Sequence, residues 1–432
     1  AVTDIIYDTY GNLQKITGPL NQKGQRMTLD YVFDGENHQY IAEIKDAFGY
    51  QNKVEFDYRF GVPLKTTDRN DQSTIYTFDA KGRPLTIKAP YEIASGKPYT
   101  IAYEYFPDAK VPYAKTRNYD PELDKDIETY TYTDGLDRTL QIKKTASLFT
   151  QAGSADKEAQ IVSGKIIYDG LGRPIISYYP TTTTSIDNNF STALSSVTPT
   201  ETEYDETGRT IKVTLSDGST NTTTFALENY DGLPVLRTTQ TDALNKTSQT
   251  YTDATGQNIA SMHNDLVTKF ETSALGEIVK VTDAMDHVIK SSYDWLGRRI
   301  ELTHPDAGTS TMQYDLAGNL TTRITQDIKN TVPNGGSIQY EYNFNRLESI
   351  KYPKNPQNNV QYNYGKADGT AARRGRLWFV QDASGGQEFF YGKLGEIEKE
   401  IRTLRITPTD IQTYISQYEY DTWNRIQKMT YP

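Results

Sequence analysis

The 432-residue chain is 36% hydrophobic and 24% charged, with 33 Tyr and 14 Phe, a composition that reads as folded β-structure with a wet surface and excludes a disordered chain. A net charge of −10 argues against nucleic acid as the main partner, because phosphate binding needs a cationic face. The absence of Cys excludes disulfides, Cys-ligated zinc and a thiol nucleophile, and no run approaches the 18 apolar residues of a membrane span.

The first segment, Ala1 to Tyr7, has neither the basic start nor the apolar core of a signal peptide, and no initiator Met. The chain is therefore expected to be an internal segment of a longer protein. At Tyr7-Asp8-Thr9-Tyr10-Gly11-Asn12 a pattern begins: aromatic, Asp, two variable residues, Gly, then Arg or Asn. Phe56-Asp57 with Gly61 is a weak copy, and Phe78-Asp79-Ala80-Lys81-Gly82-Arg83 is a full one. Asp120-Pro121-Glu122 reads as a loop. The polar, small-residue run between Phe149 and Ile161 also reads as an exposed loop.

The clearest copy is Tyr168-Asp169-Gly170-Leu171-Gly172-Arg173-Pro174. Before it, the run from Ser163 to Tyr168 reads as a strand, and after it a second strand is expected from Arg173 to Pro180. The Asp side chain can bond the backbone two residues on and start a turn, while the Gly supplies a positive φ. Strand, turn and strand make a β-hairpin. Residues 181 to 200, rich in Thr, Ser and Asn, are the longest candidate insertion.

Further full copies are Tyr204-Asp205-Glu206-Thr207-Gly208-Arg209 and Tyr293-Asp294-Trp295-Leu296-Gly297-Arg298, with an Asn version at Tyr314-Asp315-Leu316-Ala317-Gly318-Asn319. Partial copies lie at Tyr230, Tyr251, Phe270, Tyr391 and Tyr420, and another loop tip lies at Thr331 to Gly336. Leading aromatics are 22 residues apart from 56 to 78, 21 from 293 to 314, and 36 for both 132 to 168 and 168 to 204, the longer steps marking insertions. A second turn signal, often Asp-Ala or Asp-Gly, follows each motif, as at Asp242-Ala243 and Asp283-Ala284.

Each period thus holds two strands and two turns. The expected fold is all-β: tandem antiparallel β-hairpin repeats forming one large curved sheet and one continuous domain over residues 1–432, with little helix. Stacked hairpins share a buried face, because one hairpin alone is marginal. The motif Tyr is expected to pack inward with its hydroxyl on a polar partner. The motif Arg is expected to fork onto an Asp or carbonyl and to stack on a repeat Tyr. These residues read as architecture, not as catalytic or ligand-binding groups.

The copies resemble the Rhs or YD-repeat family of bacterial polymorphic toxins. The resemblance covers nearly the whole chain and includes Arg374-Gly375-Arg376-Leu377, Gln381-Asp382-Ala383-Ser384-Gly385 and Tyr391-Gly392-Lys393-Leu394-Gly395-Glu396. It extends to the B–C components of Tc-type toxin complexes and, more distantly, to teneurins. It implies a sheet spiralling into a hollow shell around a C-terminal toxin domain, in a protein secreted or displayed on the bacterial cell surface. The implied partners are the rest of the polypeptide, with its toxin cargo, and a secretion machinery. The Asp-Pro-x-Gly core with which such shells cut their cargo free is not found, so no catalytic residue is carried over.

Other chemistry finds little footing. His263, His287 and His304 are spaced too widely for ligands on one element, and they read as separate surface or turn residues. Arg373-Arg374-Gly375-Arg376 reads as a solvated loop. No carboxylate pair stands out for glycoside cleavage, and no phosphate loop, nucleophile elbow or zinc helix is present. The expectation is a non-enzymatic chain with no cofactor and no metal. The alternative is an adhesion module whose aromatic face binds cell-surface glycans or receptors.

Overall fold

The computed structural model describes every residue except 122, 149–156, 193–194, 333–334, 371 and 422. Among the described residues, strands dominate. Helix is confined to two six-residue segments, Pro90–Ser95 and Gln326–Thr331, and one 3-10 turn, Pro356–Asn358. Pro90–Ser95 opens on proline, where an N–H is not needed, and stops at Gly96, whose φ of 72° is left-handed. Gln326–Thr331 is capped by Thr325, whose hydroxyl accepts from the Ile328 N–H. The tip expected at Thr331 to Gly336 is therefore the end of a short helix, and residues 333 and 334 lie outside the described residues. The same holds for Glu122 after Asp120-Pro121, and for residues 149–156 of the loop expected before Ile161. Lys157 and Glu158 already belong to the strand Lys157–Val162.

The strands form two antiparallel sheets. One has 14 strands and begins at Asp4–Tyr7; the other has 22 and ends at Ile426–Thr430. In both, nearly every strand pairs with its neighbours in sequence, which is the expected meander. The expectation of a single sheet is corrected between residues 163 and 200. There the hairpin Ile166–Tyr168 and Pro174–Ser177 opens the second sheet, and the chain then returns as Thr181–Thr183 to pair with Lys157–Val162 at the edge of the first. It leaves again at Thr200–Tyr204, which pairs with Pro174–Ser177.

Both strands of this hairpin are shorter than the sequence pattern suggests, and local chemistry explains why. Ser163 completes the first sheet by donating its N–H to the Ile142 carbonyl at 2.7 Å. At Gly164 the backbone passes so close to Tyr178 that an added Cβ would lie 1.3 Å from its carbonyl oxygen, so no side chain fits there. Pro180 has no N–H to give to a ladder, and the strand ends before it.

By backbone contacts the chain, expected as one domain, divides into two compact units. Unit 1 comprises Ala1–Ala102, Asn118–Lys125 and Thr309–Pro432; unit 2 comprises Tyr103–Arg117 and Asp126–Gly308.

In unit 2, Val235, Tyr251 and Ala260 are buried together under Tyr230, Ile259, Met262 and Val267. A second buried set contains Tyr132, Gln141, Lys143 and Gln160. Its cover comes from the expected insertion, which is no free loop tip. Phe190 packs edge-on to Tyr132 with ring centroids 5.5 Å apart. Carbonyls of residues 187–191 accept from the Gln141, Lys143 and Gln160 side chains. Polar side chains under this segment make it fold back, since buried amides and ammonium groups must find acceptors.

Candidate functional site

The recurring motif builds one local structure. At Asp169 the backbone N–H donates to the Arg173 carbonyl at 2.9 Å, and the Gly172 N–H donates to the Asp169 carbonyl at 3.0 Å. Asp169 Oδ1 accepts the N–H groups of Leu171 and Arg173, each at 2.9 Å, and Oδ2 accepts Arg173 Nε at 2.7 Å. Gly172 has φ of 81°, and the register shifts by one residue between Ile167 and Tyr168. This is a type I turn closed by a left-handed residue and a bulge, a common way to join a hairpin. The same Asp-to-Arg bond recurs at 2.7 Å from Arg83 to Asp79, Arg138 to Asp134, Arg209 to Asp205, Arg298 to Asp294 and Arg425 to Asp421.

The glycines at 11, 82, 208, 297 and 318 all take positive φ. Where the motif ends in Asn, the amide replaces the guanidinium: Asn319 Nδ2 donates to Asp315 Oδ2 at 2.9 Å, and Asn12 Nδ2 donates to Asp8 Oδ2 at 3.3 Å. One copy escaped the sequence pattern. In Asp134-Gly135-Leu136-Asp137-Arg138 the glycine position is held by Asp137 at φ 59°, a conformation that Asp tolerates.

Successive motifs are linked by rungs. The hydroxyl of a motif Tyr donates to the carbonyl of the residue that follows the preceding motif's Arg or Glu. Within unit 2 these bonds run from Tyr168 to Thr139 at 2.8 Å, from Tyr204 to Pro174 at 3.0 Å and from Tyr293 to Ile278 at 3.0 Å. Within unit 1 they run from Tyr391 to Leu377 at 2.6 Å and from Tyr420 to Ile397 at 2.8 Å. The preceding Arg also covers the ring: Arg138 lies 4.7 Å from the Tyr168 centroid, Arg173 lies 4.6 Å from Tyr204 and Arg376 lies 5.4 Å from Tyr391.

Arg138 and Arg173 therefore each have two partners, their own turn Asp and the next ring, whereas Arg376 donates instead to the Ala372 carbonyl. The rings of Tyr168, Tyr204 and Tyr391 are half-buried under these guanidinium groups, while Tyr132 and Tyr251, leading aromatics of other copies, are fully buried, as are Tyr50 and Tyr130. Phe78 has no hydroxyl for a rung, and Tyr7 is 60% exposed on the first strand. A double-mutant cycle on Arg173→Ala and Tyr204→Ala is expected to give a coupling energy of about 1 kcal/mol in urea unfolding. A value near zero would show that rung to be idle.

The turn carboxylates are also held ionised. The backbone N–H of Arg83, Arg138 or Arg173, followed by its guanidinium, keeps Asp79, Asp134 and Asp169 below the usual carboxylate range, and the Arg298 side chain does the same for Asp294. A depressed folded pKa contributes stability above the unfolded value of about 4, and that stability is lost as pH falls through the folded values. The thermal midpoint is therefore expected to hold from neutral pH to about 5 and to fall steeply between about pH 4 and pH 2. A midpoint unchanged at about pH 3 would contradict this.

Unit 1 carries a second arrangement, which the sequence did not reveal. Turns of its N-terminal strands meet turns of its C-terminal strands, with partners such as Tyr50 and Arg346 or Asn21 and Phe344 lying 296 to 323 residues apart in sequence. Asn21 Nδ2 donates to the Phe344 carbonyl at 2.9 Å, and the Phe344 N–H donates to Gln25 Oε1 at 2.9 Å. Tyr50, 5% exposed, donates its hydroxyl to the Gly365 carbonyl and accepts from Arg346 at 2.9 Å. The Arg346 guanidinium lies 3.9 Å from the Phe48 centroid and 4.7 Å from that of Tyr50. Asn70 Oδ1 accepts the Arg374 N–H at 2.9 Å, and Arg374 reaches Asp71 at 2.5 Å. The Tyr91 hydroxyl donates to Glu396 and to Glu398 and accepts the Lys393 N–H.

These contacts correct the reading of Arg373 to Arg376 as a solvated loop: Arg373 pairs with Glu388, Arg374 with Asp71 and Arg376 with Asp68. Two cavities flank this seam. One, of about 740 Å³, is lined by Tyr50, Arg346, Tyr364 and Trp378. The other, of about 890 Å³, is lined by Tyr91, Tyr119, Tyr418, Tyr420 and the carboxylates Glu396 and Glu398.

The histidines stay apart: His287 Nδ1 faces Asp283 at 2.9 Å, His304 lies 3.8 Å from Asp306, and His263 is exposed. Among the described residues, no group of three or more His, Asp or Glu side chains is placed to hold a metal, and no helix is long and apolar enough to cross a membrane.

No family model and no curated protein sequence matches the chain. Solved structures do. TcdB2–TccC3 is 17% identical, with a TM-score of 0.73 over 99% of this chain and 25% of that one. TcdB2–TccC3 without its hypervariable C-terminal region is 16% identical, with a TM-score of 0.74 over 99% and 27%. The Tc holotoxin pore of Photorhabdus luminescens is 15% identical, with a TM-score of 0.73 over 100% and 28%. The chain spans about a quarter of the length of these proteins. At such identities the likeness is one of fold: this all-β hairpin array has the fold of the TcdB2–TccC3 toxin proteins.

Proposed function

We propose that the chain is a wall segment of an Rhs-type toxin shell in a secreted or surface-exposed bacterial protein, with no enzymatic role of its own. The wall would enclose a toxin domain of the same polypeptide and deliver it. The observation that carries this reading is the fold shared with Tc toxin proteins along 99% of the chain. The Asp–Arg–Tyr rungs and the unit 1 seam add to it. Both place polar groups on the joining of one hairpin to another, which is what a load-free wall requires. The repeat carboxylates are committed to turn N–H groups and guanidinium groups, and this suits cohesion better than proton transfer. Limited proteolysis of the full-length polypeptide tests the reading. The toxin domain should survive protease while the wall is intact. Digestion as fast as that of the isolated domain would contradict enclosure.

A second reading, adhesion, rests on Trp295, which is 97% exposed on a motif turn. A ring so placed can stack on a sugar face. If adhesion holds, Trp295→Ala abolishes a hit on a glycan array without changing the thermal midpoint. An array on which the unaltered chain gives no hit removes this reading.

A further inference from the structure

One motif turn in unit 1 departs from the rest. The Gly365 N–H donates to the Arg376 carbonyl at 3.0 Å and the Gly375 N–H to the Gly365 carbonyl at 2.9 Å, the same two bonds that close the turn at Asp169. Asp169 and Gly172 enclose two residues, whereas Gly365 and Gly375 enclose nine, residues 366–374. The turn Asp is missing as well, with Gly365 in its place. Hairpin closure needs none of this added length, and loops on a rigid scaffold are where binding groups concentrate. The enlarged turn borders the cavity of about 740 Å³: Lys366 and Asp368 line it, together with Tyr364, Trp378 and Arg346.

Positive charge collects at this cavity without matching negative charge, in a chain whose net charge is −10. Arg373, Arg374 and Arg376 are paired with Glu388, Asp71 and Asp68, and Glu348 in the lining is taken by Lys23. Among the described residues, Arg69, Arg346 and Lys366 form no ion pair. The guanidinium groups of Arg69 and Arg346 both flank the Tyr50 ring, at 5.6 Å and 4.7 Å from its centroid. Both also approach one point beside Gly375: a Cβ there would lie 2.9 Å from Arg69 Nη1 and 3.5 Å from Arg346 Nη2. Two like charges so close repel unless an anion joins them. Arg346 is held for that role, because the rings of Phe48, Tyr50 and Tyr364 surround it. Only its bond to the Tyr50 hydroxyl draws on its five N–H groups. Set against these three cations, the lining offers one carboxylate without a partner among the described residues, Asp368. The local excess is two positive charges.

We infer that this cavity binds a phosphate monoester carried on a ring-shaped body. At neutral pH such a group carries close to two negative charges, which matches the excess. A carboxylate, a sulfate ester or a nucleic-acid phosphodiester carries a single one. Arg346 would donate to the phosphate oxygens within the cavity and Lys366 from the enlarged turn, while Arg69, beside Gly375, strengthens the field. The body would rest against Tyr364 and Trp378, the latter 41% exposed. The inference does not depend on the wall-segment reading.

Isothermal titration of the 432-residue chain with phenyl phosphate tests it. Phenyl phosphate should bind, and benzoate and phenyl sulfate should bind about tenfold more weakly. Inorganic phosphate should also bind more weakly, because it leaves the aromatic wall uncovered. Affinity should fall from about pH 7 to about pH 5, as the phosphate takes up the proton whose pKa is about 6. Lys366→Ala removes an exposed side chain with no ion pair to lose, and should weaken binding about tenfold at an unchanged thermal midpoint. Arg346→Lys, which loses the planar fork, should weaken it too. Lys246→Ala, an exposed lysine of unit 2, should change nothing. Absence of binding, equal affinity for benzoate or inorganic phosphate, or binding unmoved by Lys366→Ala would overturn the inference.

Discussion

Lys143→Ala is expected to destabilise unit 2 by about 3 kcal/mol, the lower end of the range for breaking a buried ion pair. The ammonium is 2% exposed and bonds Asp187 Oδ1 at 2.6 Å, the Asp187 carbonyl at 3.1 Å and the Asn189 carbonyl at 3.0 Å. Removing it opens a cavity and takes a donor from three acceptors, of which the Asp187 carbonyl keeps Gln160 and Asp187 Oδ1 keeps the Asn189 N–H. Asp187 retains some access to water, which places the loss at the low end. Lys143→Met fills the volume and should lose less. The Lys143 hydrogen bond is the main reason that the Asp187 carboxyl lies below its ordinary range. The pair thus stabilises above about pH 4 and loses its effect as Asp187 protonates. Urea unfolding followed by proteolysis within residues 187–191 checks the prediction. A loss under about 1 kcal/mol with that segment still protected would contradict it.

Tyr50→Ala should cost unit 1 about 3 kcal/mol, the toll of truncating a buried aromatic. Tyr50→Phe retains the ring but removes the hydroxyl bonds to Arg346 and to the Gly365 carbonyl, which keeps the Gly375 N–H, at about 1 kcal/mol. The effect should appear far away in sequence. Amides near Gly365 and Arg374 are expected to exchange faster in Tyr50→Ala, because the ring and hydroxyl join them to the N-terminal turns. Exchange confined to residues near 50 would show that the seam is not cohesive. The contacts also imply slow formation of unit 1, since Asn21 and Phe344 are 323 residues apart and long-range closure must precede any gain from them.

The hairpins were legible because their signals are local. Asp at the turn start, Gly three residues on and Arg next lie within five positions of one another, and each has a backbone task that the residue type discloses. The rungs are half legible: residue chemistry pairs Tyr with Arg in kind, but their partner choice depends on which strand lies alongside.

What the sequence hid lies beyond one hairpin. The strand exchange near Gly164 follows from a close backbone approach to Tyr178, and a glycine outside the motif gives no sign of it. The role of residues 187–191 as a cover depends on polar groups at 141, 143 and 160, which read as ordinary strand residues. The seam joins residues whose separation no repeat spacing encodes, so Arg374 looked solvated when it was bound to Asn70 and Asp71.

Electron microscopy of the full-length polypeptide tests the central claim most directly. The account predicts that residues 1–432 line an enclosed chamber with density for the toxin domain inside. A solid β-sandwich, or an open solenoid with no interior space, would contradict it.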